Sequence, residues 1–351
     1  MRRVGEELGA RYVLEGNLRR VGDALRVTAQ LVDADNGAIL WTQKFDKPLA
    51  DLAALQEELV SEVAGQLGVQ VVRIEIERAL RKPGNLTAWE LLLRASSSSL
   101  QQTPETIRHG VDLARQAVAL APDYAAAHTQ LAMTTSIAFW QLTGGRDAEL
   151  RKEALEAARR ALKLEPDNPS ALAGAAQAFC AAGLWRDGIS CAERAYQIAP
   201  DREATHTAMI LVCIYFKRAQ EALRHLDACD RLAPRGIAAH VRLIQRAGAH
   251  FMLGNYEQAM QATELALLFQ PSFIFALKDI VIYLEKMERR AEAIEALAEL
   301  RQSQPNMTLD DFERLHKGSL LAPDVALDLY ETFATVWHAG EAAGALPSTA
   351  Q

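Results

Sequence analysis

Residues able to do chemistry are present but scattered. The four cysteines, Cys180, Cys191, Cys213 and Cys229, form no CxxC pair and show no metal-like spacing with histidine. They read as small core residues kept reduced in a cytoplasm. His128, His206 and His240 fall in one early slot of three helical segments, from which a ladder of ligands could be built. No carboxylate or cysteine recurs beside them as a supporting partner, so packing is the expected role. Asp33, Asp35 and Asp46 suggest a cation site, yet the first two belong to a turn, where aspartate is favoured for its own backbone hydrogen bonds. Arg19, Arg20 and Arg26 could touch phosphate, but solvated cross-strand charge is the expectation. A phosphate loop, a GxSxG elbow and an HExxH pair are all missing from the sequence. No catalytic residue, metal or cofactor is therefore expected.

The elements that would position these residues show a period. Prolines close helical runs at Pro122, Pro166, Pro200, Pro234, Pro271 and Pro305, most of them 34 residues apart. Proline cannot continue a helix and disfavours helical geometry in the residue before it. Between them, Leu172, Ala175, Ala176 and Phe179 form one helical face, and Gly188, Ala192 and Ala195 form a close-packing face on a second helix. The next unit repeats this with His206, Met209, Ile210 and Cys213, then Ala222, Leu226 and Cys229. Small residues at such positions predict antiparallel helix pairs.

These units resemble tetratricopeptide repeats, most closely in GNYEQAMQATELALLFQP (Gly254–Pro271). Six are expected, over 86–122, 123–166, 167–200, 201–234, 235–271 and 272–305, together spanning 86–305. Gly144-Gly145 falls in an excess of about ten residues over the usual unit length, read as a longer inter-helix turn. Residues 306–340 are expected as capping helices, with a flexible tail at 341–351. The resemblance places the three histidines in the slot of a consensus tryptophan, as Trp89 in the first unit. It also implies a concave groove lined by first helices that binds a protein or peptide. Carried over by register, the groove-facing residues are Thr129, Met133, Ser136, Ala173, Gln177, Cys180, Thr207, Leu211, Ile214, Phe275, Lys278 and Ile282. Only Lys278 is charged, which suits an amphipathic helix or apolar segment. An occupant from the same chain is an alternative: the amino-terminal region or helix Val325–His338.

Residues 1–82 read differently. Arg11–Val21, Leu25–Val32 and Ala38–Phe45 are β-like runs around Gly22-Asp23 and Asp35-Asn36-Gly37. Leu25, Val27, Ala29 and Leu31 alternate with polar residues, and Ile39, Trp41 and Phe45 are expected on one face. Leu52, Leu55, Leu59 and Val63 predict a helix running to Leu80, ended by Lys82-Pro83-Gly84. Gly9–Leu59 resembles a bacterial module related to the amino-terminal domain of the TolB family. That module typically lies between tetratricopeptide repeats and an output domain, either a class III adenylate cyclase or a CadC-type winged helix. The family's part ahead of Val4–Gly9 is lacking, so the resemblance implies a truncated α+β domain of three antiparallel strands. An unpaired edge there would favour self-association.

The chain has 351 residues, 50% apolar and 24% charged, which argues against disorder. A net charge of −7 without a basic block disfavours nucleic-acid binding by this chain alone. The longest apolar run, Ala208–Phe216, is too short to span a membrane, and no apolar stretch follows Met1-Arg2-Arg3. The expectation is a mostly α, cytoplasmic, non-catalytic interaction region. A cyclase system or a winged-helix transcriptional regulator would supply the missing output domain.

Overall fold

Alternating side chains build a three-stranded antiparallel sheet in the order β1 (Tyr12–Val21), β2 (Ala24–Asp33), β3 (Ile39–Pro48). The computed structural model describes Arg3, Glu7, residues 9–48, Val63, Leu67, Gln70, Val71, Ile74, Glu75, Ile76, and residues 86–143, 145–233, 238–305, 307–317 and 321–344. The expected helix positions Leu52, Leu55 and Leu59, its terminator Lys82-Pro83-Gly84, Pro234 and the tail beyond Gly344 lie outside these residues.

Val21 pairs with Ala24 across Gly22-Asp23, and Gly22 has φ +61°, the left-handed value a primed two-residue turn needs at its first position. Leu25, Ala29 and Phe45 form a small core on which Val63 packs. Arg26 faces Asp46 across the strands in a two-pronged ion pair of 2.6 and 2.9 Å, which draws the exposed Asp46 carboxyl below its ordinary value. Asp33 accepts from the Asp35 amide at 2.9 Å, the turn chemistry expected of it. Ile39 does not share the face of Trp41 and Phe45. A bulge between Leu31 and Val32 pairs Val32 with Ile39, changes the phase of β3, and leaves Ile39 59% exposed.

Mostly helical structure follows, as six antiparallel pairs in the manner of a tetratricopeptide solenoid. They are α1 (Ala88–Leu100) with α2 (Pro104–Leu120), α3 (Ala125–Thr143) with α4 (Ala148–Leu164), and α5 (Pro169–Ala181) with α6 (Trp185–Ile198). Then come α7 (Glu203–Tyr215) with α8 (Ala219–Leu232), α9 (Ala239–Met252) with α10 (Tyr256–Phe269), and α11 (Ile274–Lys286) with α12 (Arg290–Ser303). The prolines punctuate as steric reasoning requires. The residues before them (Ala121, Glu165, Ala199, Ala233, Gln270, Gln304) leave helical geometry, with φ between −132° and −143° and ψ between 63° and 91°. The extra residues of this unit lengthen the turn by only one residue, four against three in the next pair. Most of them extend α3 to 19 residues and α4 to 17, against 13 and 14 in the next pair, and α4 is rich in strong helix formers.

Within each pair the turn passes through one left-handed residue: Gln102, Gly145, Gly183, Lys217, Gly254 or Glu288. The turn then closes by a six-to-one bond such as Leu184 N–H to Phe179 O at 2.8 Å or Arg218 N–H to Cys213 O at 2.7 Å. A Cβ at Gly183 would touch nothing within 4 Å, so only its φ of +77° resists substitution. Gly183→Ala is expected to lower stability by about 1–2 kcal/mol, read from urea unfolding midpoints. Small residues set helix spacing inside the pairs. A Cβ on Gly188 would lie 2.4 Å from Cys180 Sγ and 3.1 Å from Ala176 O. Ala222, Ala259 and Ala293 hold the same place in later pairs and are fully buried.

First helices pack on the first helices of neighbouring pairs, whereas second helices meet chiefly the flanking first helices, so α3, α5, α7, α9 and α11 line the inner side. The curve brings the fifth pair back to the first. His240 Nε2 lies 2.9 Å from Leu100 O, and Gln270 Nε2 donates to Gln101 O at 2.8 Å. Beyond the pairs, α13 (Leu309–Lys317) and α14 (Pro323–Ala342) follow. Phe333, Val336 and Trp337 of α14 join Val281, Leu297 and Leu300 in a common core. No described helix is long and apolar enough to cross a membrane.

Candidate partner-binding groove

None of the twelve groove-facing residues is openly exposed. Thr129, Ser136, Ala173, Cys180, Ile214, Lys278 and Ile282 are buried, and Met133, Gln177, Thr207, Leu211 and Phe275 are half-buried. The hydroxyls of Thr129, Ser136 and Thr207 donate to carbonyls one turn back in their own helices, at 3.0, 2.6 and 3.0 Å. Gly174 lets α5 approach Thr129 and Met133, and Gln177 Nε2 reaches Met133 O at 3.4 Å. Ala173 and Cys180 share a core with Met209 and Val212, against which Leu211 packs. Ile214 belongs to a second core, Ile282 to a third, and Phe275 borders a fourth. Six of the twelve thus contribute to separate local cores rather than to one open surface.

The carboxy-terminal segment covers part of this set. Leu321 packs on the Ile214 core, and Phe312 and Phe333 on that of Ile282, with α13 also touching α3. Ion pairs tie α14 to the turns and ends of first helices: Lys217 Nζ to Asp324 at 2.6 Å and Lys286 Nζ to Asp328 at 2.7 Å. The covering is incomplete. A cavity of about 630 Å³ remains between α3, α5, α7 and the start of α14, walled by Trp140, Trp185, Tyr215, Leu321 and Tyr330. Its volume lies within the usual range for ligand pockets. The Arg151 guanidinium reaches the wall and donates to Ala182 O at 2.8 Å.

Lys278, the one expected groove cation, offers no charge to a partner. It is 5% exposed, pairs with the equally buried Asp279 at 2.5 Å, and lies 5.8 Å from the Phe275 ring. Burial raises the Asp279 carboxyl above its ordinary value, and Lys278 pulls it back. His316 of α13 is buried beside the Phe333 and Tyr330 rings and feels the Lys278 charge; its pKa is lowered to about 3, chiefly by burial. Neither His316 nor the seat of Leu321 is marked by the repeat spacing, because both lie after the period fades.

The histidine slot is a packing slot. His128 and His206 each place Nε2 2.8 Å from the carbonyl of the preceding turn proline, Pro122 or Pro200. His240 spends the equivalent nitrogen on Leu100. Trp89 in the first pair is 39% exposed, having no earlier turn among the described residues to lean on. His206 has a further contact that spacing did not predict, with His225 of α8.

Comparison with known proteins agrees with the fold. No known family model matches the chain. The solved APC/C hetero-tetramer Cut9-Hcn1 superposes with a TM-score of 0.50 at 14% identity, over 78% of this chain and 47% of that one. A tetratricopeptide repeat protein from Parabacteroides merdae ATCC 43184 aligns over 73% of this chain and 92% of its own, at 15% identity and a TM-score of 0.41. Such likeness speaks to fold alone. Among curated sequences, "Putative adenylate cyclase 3" of Rhizobium meliloti (strain 1021) is 30% identical over 170 residues, 48% of this chain. The match spans only 29% of that protein's length.

Proposed function

We propose that this chain is a non-catalytic interaction and regulatory region of an adenylate-cyclase-type bacterial signalling system. Its inner face would be held by its own carboxy-terminal helices until a partner's helix or apolar segment displaces the start of α14. The carrying observation is the incompletely filled apolar cavity under Leu321–Tyr330, whose covering segment is tethered by the exposed Lys217–Asp324 pair. An exposed pair of that kind contributes under about 1 kcal/mol, so it can yield to a competing apolar contact. The 30% identity with a protein named as an adenylate cyclase supports the system, and the lack of nucleotide-binding motifs supports the non-catalytic role.

The test pins α14. Lys217→Cys with Asp324→Cys allows a disulfide across the contact. The reduced protein should capture its partner from host extract, and the oxidised protein should lose most of that capture. Equal capture by both forms rejects the groove. With ATP and Mg²⁺ or Mn²⁺ the purified chain should make no cyclic AMP, and steady turnover rejects the non-catalytic reading.

A further inference from the structure

The inter-helix turn of the fourth pair brings three metal-ligating side chains together. Cys213 stands near the carboxy-terminal end of α7, and Glu221 and His225 lie one turn apart on α8. One ligand atom from each falls within 4.8 Å of the others. This is a sulfur, an oxygen and a nitrogen converging from two helices, with Cys213 and His225 buried and Glu221 half-buried.

A hydrogen-bond chain runs from His225 back to the preceding turn. Pro200 O only accepts, so His206 Nε2, 2.8 Å away, carries a proton. His206 Nδ1 lies 2.9 Å from His225 Nδ1, a distance that requires a proton on only one of the two. When His225 is the donor of that bond, its Nε2 keeps a lone pair. This is the arrangement of a ligating imidazole whose other nitrogen is held by an outer partner. Glu221 is oriented in the same way from outside, by Arg218 Nη1 at 3.2 Å.

We propose that Cys213, Glu221 and His225 form a binding site for a zinc-like divalent cation, with His206 as its positioning residue. Mixed sulfur, nitrogen and oxygen donors suit Zn²⁺ rather than Mg²⁺ or Ca²⁺, which take oxygen ligands. On binding, the Cys213 thiol releases its proton to solvent and ligates as thiolate. Thiolate and carboxylate then balance the two positive charges, and three protein ligands leave a fourth position for water. The site would staple α7 to α8 beside Lys217, whose side chain reaches Asp324 of α14.

Sequence spacing hid this group, because Cys213 and the Glu221–His225 pair stand on opposite sides of a turn. The experiment uses the full chain, stripped with chelator and titrated with Zn²⁺ and Co²⁺. One equivalent of Zn²⁺ should bind, and Co²⁺ should show tetrahedral d–d absorption with a thiolate-to-cobalt charge-transfer band. Cys213→Ser should abolish that band, His206→Gln should weaken affinity by about 10–100-fold while keeping one equivalent, and Cys191→Ser should change neither. Absence of stoichiometric Zn²⁺ binding by the unmodified chain, a Co²⁺ spectrum without the thiolate band, or undiminished affinity in a folded Cys213→Ser protein would each overturn the site.

Discussion

Asp279→Ala is expected to lower the unfolding free energy by about 3–5 kcal/mol, the loss typical when one member of a buried ion pair is removed. The removed carboxylate is the salt-bridge partner of Lys278, and both residues are 5% exposed. The ammonium left behind would have the Phe275 ring nearby, which is a weak substitute for a carboxylate. The double variant Lys278→Met with Asp279→Leu should recover most of the loss, since replacing a buried pair by apolar groups of similar volume is often neutral or stabilising. Urea unfolding of the two variants and the parent checks this. A double variant as weak as the single would show that the pair holds α11 by more than charge compensation.

Acid should unfold the protein through His316. Its folded pKa of about 3 lies below the ordinary 6.5. Above pH 6.5 the imidazole is neutral in both states and contributes no pH dependence. Below 6.5 the unfolded chain takes up a proton that the folded chain refuses, so stability falls by about 1.4 kcal/mol per pH unit. From this group alone the loss should reach about 2 kcal/mol at pH 5 and level off near pH 3. His206, His225, His240 and His250, all lowered by burial, act in the same direction. Asp279 opposes them, because a raised carboxyl takes up its proton first in the folded state. The difference between the parent and His316→Leu isolates the histidine. Stability curves that run parallel from pH 7 to 4 would contradict this assignment.

Much of the solenoid was legible because proline acts locally. Each turn proline forces the residue before it out of helical geometry whatever the rest of the fold does. The small residues Gly188, Ala222, Ala259 and Ala293 were legible for a similar reason, since close helix approach tolerates few side chains. Left-handed geometry falls on glycine at Gly183 and Gly254, but also on Lys217 and Glu288, where neighbouring hydrogen bonds impose it on residues that do not prefer it. The bulge that turns Ile39 outward carries no glycine or proline to announce it. Register within a helix suggested the twelve positions, but it carries no information about their covering. That depends on how tightly the pairs wind and where α13 and α14 come to rest, which are sums over many contacts. The Cys213, Glu221 and His225 group was hidden for the opposite reason: it is local in space but split in sequence by the α7–α8 turn.

The bonds from His240 to Leu100 and from Gln270 to Gln101 have a consequence for cooperativity. A linear array can fray from either terminus, each module losing only its neighbour. Here melting the opening module also strips partners from the fifth, more than a hundred positions downstream. Deleting one internal module would break this ring as well as shorten the array, so the modules behave less as interchangeable beads than as arc segments of one hoop.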